Sequence, residues 1–223
     1  MERIETIAQS AKDVVREQGG GVRAASDSVS RCLKRCFDVL LSLVGLICFS
    51  PVFLVIYWAI KREDHGAVIF RQERIGYGGR PFTLYKFRSM VVSAEADGKP
   101  ALYSGKSDKR LTRVGRFLRE HHLDELPQLW NVLKGEMSFV GYRPERKFFV
   151  DKIMAVNPDY ELLYQMRPGV FSKATLYNGY TDTMEKMLER LRMDLDYLYN
   201  HSLWIDLKII FLTVFSILTG KKF

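Results

Sequence analysis

Cysteine is scarce in this sequence: three in 223 residues, with Cys32, Cys36 and Cys48 crowded into one early stretch. An odd number so placed excludes a disulfide scaffold. Histidine is nearly as rare, at four. His121 and His122 are adjacent, so they cannot share a helical face, and no Cys or His cluster accompanies them to complete a zinc site. No lysine and serine follow the glycine run Gly76-Tyr77-Gly78-Gly79, which removes a P-loop. No small-residue cleavage pattern follows the long apolar stretch, which removes a cleavable secretory signal. The low hydrophobicity of disordered chains is absent as well, since 47% of residues are hydrophobic and 27% charged. The length is that of one domain.

What is present is positive charge, a formal +8 with a pI near 9.4. Such a balance implies an anionic partner: nucleic acid, a lipid headgroup or a phosphorylated substrate. A basic platform with stacking aromatics is missing, so no nucleic acid is expected. From Phe37 to Ile60 the chain reads FDVLLSLVGLICFSPVFLVIYWAI, roughly 36 Å as a straight helix and enough to cross a bilayer core. Ser50-Pro51 interrupts it, and proline removes a backbone donor whose lost bond a serine hydroxyl can replace, so a kink is expected. Arg31, Lys34 and Arg35 precede the run and Lys61, Arg62, Arg71 and Arg74 follow it, assigning both ends to the same, cytoplasmic side. A helix that enters, bends and returns satisfies both features; a kinked spanning helix is the plainer alternative. Leu203 to Leu218 is too short to span and reads either as an amphipathic interfacial helix, with Lys221 and Lys222 beyond it, or as a core helix.

Residues 1–30, broken at Gly19-Gly20-Gly21, read as a loosely held N-terminal extension, and residues 31–223 as one domain. Val68 to Arg74 and Pro81 to Phe87 read as a hairpin. Residues 91–110 form a loop or a lid. Two short helices follow, with a joint at His121 to Asp124, and Asp124-Glu125-Leu126-Pro127 reads as the start of the second, with Asp124 at its N-cap. An N-cap needs no catalytic explanation. The same geometry would nevertheless place two carboxylates beside free N–H groups, where a phosphate or a divalent metal is at home. Arg113, Arg116, Arg119 and Arg143 supply nearby cations.

The ordered set KFRSM (Lys86 to Met90), LDELPQLWNVLKGEMSFVG (Leu123 to Gly141), Arg143-Pro144, RPG (Arg167 to Gly169) and SLWIDLKIIFLTV (Ser202 to Val214) resembles the bacterial sugar transferase family, the monotopic phosphoglycosyl transferases. The likeness runs over roughly residues 31 to 220. It implies an α+β, mainly helical fold. A re-entrant membrane helix over residues 37–60, bent at Ser50-Pro51, interfacial amphipathic helices and a small β-hairpin would surround an active site on the cytoplasmic face of the bacterial inner membrane. The implied activity moves a sugar phosphate from a UDP-sugar to polyprenyl phosphate, as in the first membrane step of polysaccharide or glycoconjugate assembly, and releases UMP. Asp124 would be the nucleophile that forms an aspartyl-phosphosugar intermediate, and Glu125 with Asp124 would hold Mg2+. Arg119, Arg143 and Pro144 would bind substrate, with Lys86 and Arg88 lining the site. The bilayer is the implied partner, and a homodimer is left open. Tyr142 departs from the family's Pro-Arg-Pro turn, and Phe171-Ser172 and Tyr180 depart from its sequence around the sugar and acceptor pocket. A non-catalytic basic protein binding a membrane surface is the rival reading.

Overall fold

A computed structural model describes residues 2–17, 28–94, 108–178, 181 and 183–219. The triple glycine at 19–21, residues 95–107 of the expected loop or lid, Tyr180, Lys221 and Lys222 lie outside them.

Helix α1 (Glu2–Glu17) is followed by α2 (Ser28–Cys48) and α3 (Ser50–Asp64), then by strands β1 (Ile69–Ile75) and β2 (Pro81–Phe87). Next come α4 (Arg113–Glu120), a 3-10 turn at Leu123–Glu125, α5 (Gln128–Lys134), β3 (Ser138–Val140) and α6 (Lys147–Val156). A 3-10 segment at Pro158–Gln165, β4 (Gly169–Phe171), α7 (Lys173–Asn178), α8 (Met184–Asn200) and α9 (Leu203–Leu218) complete the order. Strands β1 and β2 pair antiparallel from Ile69 with Phe87 to Ile75 with Pro81. The hairpin is the expected one, its first strand displaced by a residue. Strands β3 and β4 form a parallel pair, Ser138 with Gly169 and Val140 with Phe171.

The N-terminal helix is not loose. Three-residue spacing puts Ala8 and Ala11 on one face of α1, and both are buried against α8 in the largest apolar cluster, with Leu188, Leu191, Leu195, Ile153 and Leu163. Asn157, buried beneath it, donates its side-chain amide to the Ala8 carbonyl at 3.3 Å. A second cluster, Ile56, Ile60, Val68, Phe87 and Leu118, joins α3, the hairpin and α4, with Leu123 and Leu126 packed against it.

Among the described residues no single helix is long and apolar enough to cross a membrane, but α2 and α3 pass that test together, bent by 58°. The bend follows from proline chemistry. Pro51 cannot donate to the Ile47 carbonyl one turn earlier, and the Ser50 hydroxyl donates to it instead, at 2.7 Å. Leu40, Leu43, Val44 and Ile47 of α2 and Leu54, Val55 and Trp58 of α3 are exposed. On α9 the faces separate: Trp204, Leu207, Phe211 and Phe215 are exposed, while Asp206, Ile209 and Thr213 are buried. An exposed apolar face with a buried carboxylate opposite is the reverse of a soluble core helix.

Candidate active site

Asp124 and Glu125 lie on the 3-10 turn Leu123–Glu125 and not at the N-cap of α5, a place taken by Pro127. The chain must reverse direction after α4, and His122 does so by adopting left-handed backbone angles, φ 54° and ψ 18°. The turn then consumes its own donors: Glu125 N–H reaches the His122 carbonyl and Leu126 N–H the Leu123 carbonyl, each at 3.3 Å. The expected row of free helix N–H groups beside the carboxylates is therefore replaced by side-chain cations.

Three of those cations converge from different elements. Lys86, on β2, places Nζ 2.5 Å from Glu125 Oε1. Arg143, in the loop after β3, places a guanidinium nitrogen 3.1 Å from the same oxygen. Arg119, in the last turn of α4, donates from Nε to Ser89 Oγ at 3.0 Å and lies 3.8 Å from Asp124 Oδ2. Helix α4 can approach Ser89 this closely because residue 115 is glycine; a Cβ there would stand 2.0 Å from the Ser89 carbonyl oxygen.

Burial raises the Asp124 carboxyl above its ordinary value; Lys86 and Arg119 oppose that rise and the Glu125 charge reinforces it. Glu125 is less completely buried, and Lys86 and Arg143 outweigh its desolvation and hold it well below the usual carboxylate range. Burial lowers Lys86 against the pull of Glu125, and lowers His122 against both carboxylates. Two adjacent carboxyls are thus driven apart, one kept ionised and one made more basic.

The other expected residues are placed elsewhere. Arg88 is buried and pairs with Asp64 at the end of α3, so it does not line the dyad. Pro144 contributes its carbonyl oxygen, which accepts from Arg74 at 3.1 Å. Tyr142 is fully buried in the core, so its departure from the family turn places an anchor there rather than a new substrate contact. Ser50 and Pro51 stand at the helix break.

Sequence reading missed the support behind the Arg143 loop. Glu145 accepts from Arg74 at 3.2 Å and from Arg190 of α8. Asp194 accepts the backbone N–H of Arg143; burial, against Arg190 and with Glu145, pushes its carboxyl up to about 8. No local signal marks these residues, because charged positions in loops and on helices are ordinarily solvent-facing.

Among the described residues no group of three or more His, Cys, Asp or Glu could hold a metal ion. Magnesium is commonly held by one or two carboxylates together with substrate phosphates, so the hard oxygens of Asp124 and Glu125 fit a metal that arrives with a diphosphate and not a preformed protein cage.

The family model described as bacterial sugar transferase matches residues 29–220, and the chain belongs to that family. It is 44% identical over 198 residues, 88% of its length, to a UDP-glucose:undecaprenyl-phosphate glucose-1-phosphate transferase of Klebsiella pneumoniae, covering 42% of that protein. It is 41% identical over 188 residues, 84% of its length, to a UDP-N-acetylgalactosamine-undecaprenyl-phosphate N-acetylgalactosaminephosphotransferase of Aeromonas hydrophila, covering 44% of it. The chain thus spans less than half the length of these two relatives. It covers 98% of an exopolysaccharide production protein of Rhizobium leguminosarum bv. phaseoli, 38% identical over 200 residues and 86% of this chain.

Proposed function

We propose that this protein transfers a sugar phosphate from a UDP-sugar to undecaprenyl phosphate at the cytoplasmic face of the bacterial inner membrane, held there by a re-entrant α2–α3 pair and by α9. The observation that carries the reading is the buried Asp124-Glu125 pair ringed by Lys86, Arg119 and Arg143. A basic protein binding only a membrane surface needs cations alone and gains nothing from burying two carboxylates among them. The activities named for the relatives agree with it.

In the proposed first step an Asp124 carboxylate oxygen bonds to the sugar-bearing phosphorus. The bond from that phosphorus to the bridging oxygen breaks, and UMP leaves with the electron pair. In the second, a phosphate oxygen of undecaprenyl phosphate bonds to the same phosphorus, and the bond to Asp124 breaks to regenerate the carboxylate. Raised basicity suits Asp124 to attack, while Arg119 and Lys86 keep it available in ionised form. Arg143 and Lys86 are placed to meet diphosphate oxygens. Mg2+, held by Glu125 and Asp124, would offset diphosphate charge as UMP departs.

The test is UMP release by detergent-solubilised protein given undecaprenyl phosphate, Mg2+ and a panel of UDP-sugars. Release is expected with at least one sugar. Asp124→Asn should lower it on the order of a thousandfold or more while leaving membrane association intact. Undiminished turnover in that variant removes Asp124 from its role.

A further inference from the structure

An open cleft of about 480 Å³ lies between α3 and the start of the hairpin, outside the dyad. Its walls are Phe53, Leu54 and Tyr57 of α3, and Val68, Ile69 and Phe87 across from them, with Lys61 as the charged lining residue. The volume falls within the range of small-molecule clefts, about 300–1,000 Å³. The lining is ordered along the helix: Phe53, Tyr57 and Lys61 follow one another at four-residue spacing, one stripe of about 12 Å that is apolar at one end and cationic at the other.

Both ends lead somewhere. At the apolar end, Leu54 belongs to the exposed face that α3 shares with Val55 and Trp58. At the inner wall, Phe87 meets Phe53 edge-on, ring centroids 5.1 Å apart, and shares an apolar cluster with Leu123 and Leu126, which flank the two carboxylates. The residue before Phe87 is Lys86, which holds Glu125. Lys61 Nζ lies 3.4 Å from the His65 carbonyl oxygen, and no acidic residue lines the cleft among the described residues.

We infer that this cleft seats the first isoprenoid units of the polyprenyl phosphate acceptor, with its phosphate at the Lys61 end. The inference rests on the proposed transferase reading and adds the place where the acceptor is gripped. An apolar chain carrying one anionic head matches a stripe of two aromatic rings ending in an ammonium, and a ligand entering from the exposed face of α3 need not leave the lipid phase to reach it. A free phosphate has no part that would use Phe53 and Tyr57, and a UDP-sugar, whose one flat ring sits beside two polar sugars and a diphosphate, has no aliphatic chain to run along the apolar wall toward the exposed face of α3.

The experiment takes the full chain in detergent with undecaprenyl phosphate and whichever UDP-sugar supports turnover. It compares Leu54→Trp, which fills the cleft from an exposed position, and Lys61→Ala. Both should raise KM for undecaprenyl phosphate fivefold or more, leave KM for the UDP-sugar within twofold, and keep the unfolding midpoint. UMP released in a single turnover without acceptor, which reports attack by Asp124 alone, should be unchanged. An intact single-turnover yield with unaltered acceptor KM overturns the cleft assignment and leaves the transferase reading standing. Absence of UMP release in the unsubstituted protein sinks the transferase reading itself. If added phosphatidylglycerol micelles inhibit the parent protein but not Leu54→Trp, while acceptor KM stays the same in both, the occupant is a bulk phospholipid and the inference is wrong.

Discussion

Lys34 Nζ lies 2.5 Å from Asp206 Oδ2, joining α2 to α9 across 172 positions of chain. The other oxygen of Asp206 accepts the Tyr197 hydroxyl at 2.5 Å. One residue on, Arg35 donates to the carbonyls of Val132 and Leu133 at the end of α5, at 2.7 and 3.0 Å, where cations complement a helix C-terminus. One turn later, Asp38 accepts the Phe139 N–H of β3 at 3.0 Å. The apolar helix pair is therefore clamped at its root to the elements that follow the dyad, and this clamp sets where the Asp124-Glu125 turn sits relative to the exposed apolar surface.

Breaking the clamp should show as stability. Lys34→Ala leaves the Asp206 carboxylate, nearly inaccessible at 3% side-chain exposure, without its cation, and a loss of about 3 kcal/mol is expected. Asp206→Asn removes the charge and leaves a lysine that water can reach, so the loss should be nearer 1 kcal/mol. Denaturant unfolding of both variants in one detergent checks the order; equal losses would mean that the ion pair is not what matters.

Restoring the missing donor should straighten the bend. With Pro51→Leu, residue 51 can donate to the Ile47 carbonyl now served by Ser50, and a continuous helix becomes available. An accessibility label placed ahead of Arg31 should then report from the opposite side of the membrane. A label pattern identical to that of the parent would mean that proline does not cause the return.

Asp194 predicts a pH dependence. Its carboxyl is pushed up to about 8 in the folded protein by burial, against an ordinary value of 3.8, so the folded state binds the extra proton between those limits. The stability it contributes is present in full below about pH 4 and is lost as pH rises toward 8. Asp194→Asn, which mimics the protonated form, should flatten the fall in stability between pH 5 and 8 as followed by thermal unfolding. An unchanged slope assigns the dependence to other groups.

Gly115 tests the reach of Arg119. A methyl group placed 2.0 Å from the Ser89 carbonyl oxygen forces α4 outward, because backbone cannot rotate away as a side chain can. Gly115→Ala should cost about 1–3 kcal/mol and lower kcat through displaced Arg119. Ser89→Ala, which only frees the Arg119 Nε of its hydroxyl partner, should leave stability nearly unchanged, and comparing the two variants separates position from hydrogen bonding.

Local chemistry was legible wherever cause and effect lie within one turn of chain. The Ser50-Pro51 bend, the hairpin and its register-setting turn, and the amphipathic character of α9 belong to this class. So do the carboxylates, although the N-cap assigned to Asp124 proved to be a 3-10 turn. A left-handed His122 was needed to reverse the chain after α4, and no residue type other than glycine announces that conformation strongly. The packing of α1 was not legible for another reason: Ile4, Ile7, Ala8, Ala11, Val14 and Val15 recur at helical spacing, but two alanines make a shallow stripe amid polar residues, and only the presence of α8 shows what it packs against.

The sequence by itself determined the bend, the hairpin, the apolar faces and which side chains could bear charge near the dyad, since these follow from backbone donors, side-chain alternation and helical spacing. The tertiary structure alone decided which cations serve the carboxylates: Lys86 faces Glu125 while Arg88, two residues on, faces Asp64. It also decided that Asp194 and Glu145 would be buried behind Arg143 and that Lys34 would meet Asp206. Such pairings depend on the mutual placement of elements distant along the chain. A one-residue change in strand register or a modest rotation of a helix would exchange one partner for another without altering any local preference.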